Sequence, residues 1–356
     1  MLRILHVYPQ LNCGGTEMVF YNLIKFSDIR HFRYDILVQK SGERDPMFKL
    51  LGCNIITIPY HSKQQYRQDL EHLFRQNNYQ AVHTHMHNTM EIVLEEAKKA
   101  GIPHCISHSH SARIDLPQFL WFIRFIRNHK YEKYATDLFG CSKLALKWLF
   151  PRKWKKGKVI YNGIDTNKFI FNKEDRYEYR KKNHISNTTK VILNIGRCTR
   201  QKNQHFILDR AKDLQNEDIL FLIIGAGPLF KDLEKRLENE NIANVRLLGQ
   251  RCDIVKWLSA ADVFIFPSLY EGLGIVAIEA QANGLPVIST DTIPQETDMQ
   301  LGIFHRVPLR KKKVWNTWLK NSNISQVSRA TISSKAYQSH YNINNVVKYV
   351  ENIYKS

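Results

Sequence analysis

Residues 191–227 decide the fold, because they hold two short apolar runs, VILNIGR (191–197) and ILFLIIGAG (219–227), separated by a helix-length interval. Runs rich in Val and Ile that end at turn residues and leave room for a helix are typical of βαβ units with a parallel sheet. The pattern continues with NVRLLGQ, VFIFPS and PVISTD, which begin at Asn244, Val263 and Pro286. This half of the chain is therefore predicted to be a Rossmann-like α/β domain.

The first half of the chain repeats the pattern. Its runs RILHVYP, YDILVQ, NIITIP, AVHTH, HCISHS and DLFGCS begin at Arg3, Tyr34, Asn54, Ala81, His104 and Asp137. We therefore expect an N-terminal Rossmann-like domain over 1–165 and a second one over 166–335, with the polar stretch 167–189 as hinge and linker. Apolar residues at helical spacing within 341–354 predict an amphipathic C-terminal helix in 336–356. Packing of that helix back onto the N-terminal domain is one option, since periodicity does not identify the domain it covers.

Composition limits the function classes. The chain of 356 residues is 43% hydrophobic and 24% charged, a globular mixture that argues against disorder. We find no apolar stretch of the ~18 residues that a membrane span needs, so we expect a cytoplasmic protein. Six cysteines without a CxxC pair give no zinc knuckle or disulfide framework. The net charge of +19 leaves nucleic acid, anionic lipid and phosphorylated substrates as partners.

About half of that surplus lies in 117–158, where eleven Lys and Arg stand against two acids among several Phe and Trp residues. Alternating aromatic and basic residues are typical of segments that lie on an anionic membrane. The competing interpretation of 117–134 is an ordinary core helix. We expect peripheral association with the inner face of the plasma membrane through this segment.

Unusual residues cluster where the predicted strands end, which is where α/β sheets bind ligands. The NCGGTE segment, with Gly14 and Gly15, follows the first strand and suits an anion at a helix start, or a plain tight turn. Arg197 and Lys202 share one loop and suit a diphosphate, although a solvated basic loop is the alternative. Glu271 precedes a predicted helix and Glu279 lies about two turns into it, so the pair can address two ends of one ligand.

Taken together, these motifs resemble the large retaining glycosyltransferase family 4, which has the GT-B fold. The resemblance covers nearly the whole chain, through Gly14-Gly15, His108, NGID at 162–165, Gly196-Arg197, Lys202-Asn203, Gly225-Ala226-Gly227 and the segment from Glu271 to Pro286. HTHMHNT from His83 and SHSHS from Ser107 are most similar to the branch that builds bacterial capsular and exopolysaccharides. The implied fold is two Rossmann-like domains with parallel sheets facing across a cleft.

The resemblance also implies roles for residues of this chain. Arg197 and Lys202 would hold the donor diphosphate, Glu279 the ribose, and Glu271 with Gly272-Leu273-Gly274 the transferred sugar. Gly14 and Gly15 would lie against the donor phosphates, with Gly196 and Gly225 in the donor loops and His108 near the reacting sugar. His85 and His110 are further candidates for the acceptor side of the cleft. Cys13, Ala226 and Gly274 depart from the usual pattern, so the sugar preference cannot be carried over.

Closely spaced histidines at 83, 85, 87, 108 and 110 raise the question of a metal, since zinc uses such clusters. Lining of a substrate cleft and ordinary packing are the other interpretations, and no Asp or Cys stands at ligand spacing. We expect no metal and no cofactor, because the chain has no Asp-x-Asp pair either. The nucleotide diphosphate sugar, which we expect to be a UDP-sugar, is a donor substrate and not a cofactor.

The expected reaction is transfer of a sugar from a nucleotide diphosphate sugar to a lipid-linked or polysaccharide acceptor, as a hexosyltransferase of surface or exopolysaccharide synthesis. Alternatives are a GT-B nucleotide-sugar epimerase or hydrolase, and a basic nucleic-acid-binding protein. We find no nucleic-acid-binding motif and expect no nucleic acid partner. The sequence leaves open the sugar, the base, the acceptor, the oligomeric state and the role of 309–333.

Overall fold

The computed structural model describes residues 1–12, 15–85, 89–112 and 128–356. They form two compact units, one of Met1–Ile164 with Ile343–Ser356 and the other of Asp165–Asn342.

The units divide next to Asp165, where the sequence places its boundary. Residues 336–342, which the sequence groups with the last helix, belong instead to the second unit. The last helix begins at Ile343 and belongs to the first unit.

The first unit contains a seven-stranded parallel sheet in the order β3-β2-β1-β4-β5-β6-β7. Its strands are β1 (Leu2–Tyr8), β2 (Phe32–Val38), β3 (Asn54–Thr57), β4 (Ala81–Thr84), β5 (His104–Ser109), β6 (Asp137–Gly140) and β7 (Lys158–Val159). Its helices are α1 (Gly15–Lys25), α2 (Asp45–Leu50), α3 (Lys63–Gln76), α4 (Met90–Lys99), α5 (described over 128–134), α6 (Lys143–Leu149) and the C-terminal helix Ile343–Lys355. The six predicted strands of this half are confirmed, while β7 was not predicted.

The C-terminal helix is fixed to the first unit by both apolar and polar contacts. Val346 and Val350 are buried in the same cluster as Phe20 of α1. Glu351 accepts hydrogen bonds from the Ser27 hydroxyl at 2.6 Å and from the Asp28 amide at 2.8 Å. The helix thus covers one face of the sheet near α1, although more than 170 residues separate it from the rest of its unit.

The second unit contains a six-stranded parallel sheet in the order β10-β9-β8-β11-β12-β13. Its strands are β8 (Lys190–Ile195), β9 (Ile219–Ile224), β10 (Val245–Leu247), β11 (Val263–Phe266), β12 (Val287–Ser289) and β13 (Phe304–Arg306). Its helices are α7 (Lys173–Lys182), α8 (Gln204–Asp213), α9 (Phe230–Asn239), α10 (Ile254–Ala260), α11 (Ile275–Ala282), α12 (Lys312–Asn321) and α13 (Gln326–Lys335), which makes the C-terminal helix α14. The five strands predicted here are confirmed, and β13 at the sheet edge was missed.

The prediction of a linker over 167–189 is wrong. Its middle, Lys173–Lys182, forms α7, whose buried Arg180 donates to the carbonyl of Ala260 at 3.0 Å and pairs with Asp262 at 3.2 Å. Arg176 donates to the carbonyls of residues 259–261 at the end of α10. Because these guanidinium groups satisfy carbonyls that the helix end leaves without partners, a strongly charged stretch forms a packed helix here.

The aromatic part of the predicted membrane segment needs a correction as well. Residues 113–127 lie outside the described residues, and 128–134 is helical. Trp148, Leu149 and Phe150 are buried in the core of the first unit and are not available to a lipid surface. The basic residues after them are exposed: Arg152, Lys153, Lys155, Lys156 and Lys158. Across the described ranges, no helix combines the length and the apolar character that a membrane crossing requires.

Candidate active site

The loops that follow β8 and β9 in the second unit are held together through their backbones. The Gly196 amide donates to the Ile224 carbonyl, and the Cys198 amide to the Ala226 carbonyl, both at 2.9 Å. Gly225 has φ +143°, and a Cβ added there would lie 2.0 Å from the Gly196 carbonyl oxygen. Only glycine allows this approach, so the two loops form one continuous surface at the carboxyl end of the sheet.

The structure brings two of the predicted site residues into direct contact. Lys202 Nζ lies 2.6 Å from Glu271 Oε1, in a pair whose side chains are 19% and 8% exposed. Gln201 reinforces this contact through two hydrogen bonds. Its side-chain NH₂ donates to the Tyr270 carbonyl at 2.9 Å, and its backbone carbonyl accepts from the Leu269 backbone amide at 2.8 Å. The loop after β8 and the loop after β11 are therefore locked together around this ion pair.

Arg197 lies on the same loop as Lys202 but is exposed. Gln204 donates to the carbonyls of Gly196 and Arg197 at 3.4 and 3.3 Å, which holds the backbone of the loop. Within the ranges that the structure describes, the Arg197 guanidinium makes no ion pair. Its five donors are therefore available to an anion such as a diphosphate.

Gly272, Leu273 and Gly274 form the turn into α11. Gly274 adopts φ +89°, and a Cβ there would lie 2.8 Å from the Phe266 ring, so glycine is required on two grounds. Leu273 is buried, and its carbonyl accepts a hydrogen bond from the Thr297 hydroxyl. The turn presents the start of α11 next to the loop that carries Glu271, which places helix N–H groups at a predicted ligand site.

Glu279 lies on α11 and is only partly exposed. Burial raises the pKa of its carboxyl from 4.5 to about 7, and the nearby positive charge of Lys168 opposes that shift. Unlike Glu271, it has no hydrogen-bond partner among the described residues. A carboxylate that is desolvated without a partner is a candidate ligand-binding group, because a hydroxyl donor would satisfy it.

In the first unit, the sheet brings five histidines together. His6 of β1 is the register neighbour of His83 on β4, and His108 lies on the adjacent strand β5. His85 and His110 directly follow β4 and β5. The nitrogens of His6, His83 and His85 lie within 4.8 Å of one another, as do those of His85, His108 and His110.

A small pocket of about 20 Å³ opens among these rings, enough for one water molecule. Three polar atoms of its lining residues are buried without a hydrogen-bond partner among the described residues: the Tyr8 hydroxyl, Asn162 Oδ1 and His108 Nε2. Burial holds the pKa of His108 well below 6.5, so the ring is neutral at physiological pH. His108 can therefore exchange a hydrogen bond with a polar group in the pocket without offering it a charge.

Some residues singled out in the sequence cannot be placed in a site. Gly14 and His87 lie outside the described residues, and Gly15 is the first residue of α1. Sequence reasoning also missed His6 and Tyr354, which contact the histidine cluster, and Gln201. The alternation of His6 with the apolar residues of β1 could have identified the first, but nothing in the sequence links Tyr354 to this site.

Comparison with known proteins decides the family. Residues 175–299, which include Arg197, Lys202, Glu271 and Glu279, match the family Glycosyl transferases group 1. The chain is 30% identical over 322 residues to the UDP-Gal:alpha-D-GlcNAc-diphosphoundecaprenol alpha-1,3-galactosyltransferase of Escherichia coli, covering 81% of this chain and 79% of that protein. The chain belongs to this glycosyltransferase family.

Other relatives agree with that assignment. The putative glycosyltransferase EpsF of Bacillus subtilis is 29% identical over 88% of this glycosyltransferase and 85% of its own length. Among solved structures, Anabaena Alr3699/HepE in complex with UDP and glucose matches with a TM-score of 0.82 at 17% identity, with 100% of both chains covered. The two parallel Rossmann-like sheets and this likeness establish the GT-B fold.

Proposed function

We propose that this glycosyltransferase moves a sugar from a UDP-sugar, with retention of anomeric configuration, to a lipid-linked or polysaccharide acceptor in surface or exopolysaccharide synthesis. The observation that carries the proposal is the contact of Lys202 with Glu271 beside the available guanidinium of Arg197. It joins the loops after β8 and β11 at the carboxyl end of a parallel sheet, the edge at which such sheets bind nucleotides.

The leaving nucleotide diphosphate gains negative charge as the glycosidic bond breaks. Arg197 and Lys202 stabilise that charge more strongly in the transition state than in the bound donor, which is how fixed cations accelerate a reaction. In the free protein, Glu271 neutralises Lys202 and holds it in position. Donor binding brings the phosphates to compete for the ammonium, and Glu271 becomes free to meet a sugar hydroxyl.

Glu279 binds the ribose, because its carboxylate has no hydrogen-bond partner among the described residues and the two ribose hydroxyls can supply donors. His108 contributes a neutral ring nitrogen to the sugar or its acceptor. No protein carboxylate is assigned as a covalent nucleophile, and the leaving phosphate takes the proton of the acceptor hydroxyl.

Two relatives support the choice of donor and pathway. The Escherichia coli relative uses UDP-Gal and a diphosphoundecaprenol-linked sugar, and a Staphylococcus aureus relative at 26% identity is a capsular polysaccharide biosynthesis glycosyltransferase, CapH. A lipid-linked acceptor also gives the exposed basic residues of 152–158 a role, since each cation near an anionic leaflet contributes ~1 kcal/mol of attraction. We therefore place the protein at the cytoplasmic membrane surface, without a metal requirement.

The test is incubation with a panel of UDP- and GDP-sugars and membrane lipid extract, followed by mass spectrometry of the products and NMR of the new anomeric proton. The expected result is acceptor-dependent release of UDP and a product that retains the donor's configuration. Donor loss or isomerisation without any acceptor product would instead indicate a hydrolase or an epimerase. Preference for GDP-sugars would overturn the donor assignment alone.

A further inference from the structure

Among the described residues, five hydrogen bonds join the five histidines and Tyr354 in a row. His110 Nε2 lies 2.8 Å from His85 Nδ1, and His85 Nε2 lies 2.9 Å from His6 Nδ1. His6 Nε2 contacts the Tyr354 hydroxyl at 3.4 Å, which is the longest link. The same hydroxyl lies 2.7 Å from His83 Nδ1, and His83 Nε2 lies 3.0 Å from His108 Nδ1. The chain ends at His108 Nε2 in the pocket.

Only one proton fits in each of these links, and a neutral imidazole carries one N–H. If His108 donates from Nδ1 to His83, every following link must run in the same direction, and all five rings carry their proton on Nδ1. If His83 donates to His108, all five carry it on Nε2. The chain therefore has two fully bonded states, and its five rings share one tautomer in each.

Burial keeps four of the rings neutral, those of His6, His83, His85 and His108, and this assignment of one N–H to each ring depends on their neutrality. It lowers the pKa of His6 to about 3 and holds those of His83, His85 and His108 well below 6.5. It also raises the pKa of Tyr354 well above 10, so the hydroxyl keeps its proton. Of these six residues, only Tyr354 can donate and accept hydrogen bonds through one atom. Its hydroxyl joins the pair His83–His108 to the other three rings.

The ring geometry favours this chain over a metal centre. His6 and His85 are stacked with planes only 8° apart, and His83 and His85 are stacked at a centroid distance of 4.2 Å. A ring that binds a metal ion directs one nitrogen lone pair at the ion, ~2.0–2.1 Å away, and that nitrogen is then not available for a hydrogen bond to another ring. The nitrogens here pair with one another at hydrogen-bond distance instead.

We propose that Tyr354 is a positioning residue for sugar transfer, because its hydroxyl couples the two parts of the hydrogen-bond chain and so ties the tautomer of His108 to that of the other four rings. That tautomer decides whether the His108 Nε2 that faces the pocket carries a proton. In the Nδ1–H state His108 offers an acceptor to a substrate hydroxyl, and in the Nε2–H state it offers a donor. The C-terminal helix α14, which carries Tyr354, thereby takes part in deciding whether His108 donates or accepts a hydrogen bond in the pocket. The role of His108 in transfer rests on the function proposed above, whereas the coupling does not.

The coupling is tested by NMR of the ring nitrogens in the full-length protein labelled with ¹⁵N-histidine and free of substrate. The expected result is one common tautomer for His6, His83, His85, His108 and His110. Mixed tautomers would overturn the chain. Stoichiometric zinc, copper or nickel in the purified protein, released by chelator with large shifts of these nitrogens, would overturn it in favour of a metal site.

The positioning role is tested with Tyr354→Phe, and Tyr349→Phe is the matched control, since Tyr349 lies on the same helix and is 48% exposed. In Tyr354→Phe, the signals of His6 and His83 are expected to move and the tautomer of His108 to become independent of His6. We expect kcat to fall by roughly ten-fold with donor KM within about two-fold, the pattern of lost alignment in a proton-exchanging group. The control is expected to match the wild type in spectrum and rate.

An unchanged His108 signal in folded Tyr354→Phe would refute the positioning role, as would an unchanged kcat. If the wild type itself transfers no sugar in any panel, the proposed function fails while the spectra still decide whether the rings are coupled. The wild-type spectrum needs no variant, so a Tyr354→Phe protein that does not fold leaves the shared-tautomer prediction fully exposed to refutation.

Discussion

Glu279→Gln should stabilise the protein at neutral pH while weakening its binding of nucleotide. Burial raises the pKa of this carboxyl from 4.5 to about 7. Since one pKa unit corresponds to ~1.4 kcal/mol, the ionised side chain destabilises the folded state by up to ~3 kcal/mol above pH 7. Because the side chain is partly exposed to solvent, we expect Glu279→Gln to raise the free energy of unfolding by only ~1–3 kcal/mol at this pH.

The pH dependence of the stability difference shows whether the Glu279 carboxylate causes it. Between pH 4.5 and 7 the folded state binds more protons at Glu279 than the unfolded state, so this group lowers the stability of the wild type as pH rises. The difference between Glu279→Gln and wild type should therefore grow from near zero at about pH 4 to its full value above about pH 7. Other titrating groups cancel in this difference.

The assay is thermal unfolding of both proteins from pH 5 to 8, where ~1 kcal/mol corresponds to ~2–4 °C for a unit of this size. Glu238→Gln is the matched control, because Glu238 is an exposed acid of α9 and its loss changes the net charge equally. A difference that is absent at pH 8, or is equal at pH 5 and pH 8, would refute the reasoning. Calorimetry should also show UDP affinity that rises with pH in wild type and is weak and flat in Glu279→Gln.

Further outcomes follow from the same site. Arg197→Ala and Lys202→Ala should each raise the barrier to transfer by ~2–4 kcal/mol, and near-normal kcat/KM in both would remove them from the mechanism. Glu271→Ala should lose turnover but keep UDP affinity, so a parallel loss of affinity by calorimetry would contradict its assignment to the sugar. Activity should persist in excess EDTA, and an absolute requirement for manganese or magnesium would count against direct charge neutralisation by Arg197 and Lys202. The protein should sediment with anionic liposomes and release at high salt. Binding that survives replacement of four exposed cations by Ser would end the membrane proposal; they are Arg152, Lys153, Lys155 and Lys156.

The sequence predicted the central strands well because a parallel strand that is buried on both faces is a continuous apolar run. The run that forms β9, Ile219–Ile224, is buried throughout. The missed strands lack that signal: β13 spans Phe304–Arg306 with two polar residues at the sheet edge, and β7 spans only Lys158–Val159. Eleven strands could therefore be read from composition, whereas short edge strands depend on the neighbour that pairs with them.

Charge was the least reliable guide to structure. The stretch 167–189 was predicted as a linker from its polarity, yet its Arg180 is 1% exposed and bonded to carbonyls and Asp262. Trp148 illustrates the converse error, since it lies among basic residues in the sequence but is buried in the core. In both cases the deciding partner is distant in sequence, and no local pattern records it.

The two acids of the candidate donor site differ in whether a positive charge balances them in the free protein. Glu271 has its charge matched by Lys202 at 2.6 Å, so the cation that remains available to a diphosphate is Arg197. In the part of the chain that the structure describes, Glu279 has no such partner, and its pKa of about 7 leaves it partly protonated at neutral pH. In the proposed function, ribose hydroxyls donate to this carboxylate and favour its ionised form, and we therefore expect nucleotide binding to release a proton from Glu279. The proposal thus predicts that the desolvated carboxylate destabilises the free protein at the position where the nucleotide would supply hydrogen-bond donors. Relief of that destabilisation would then contribute part of the binding free energy.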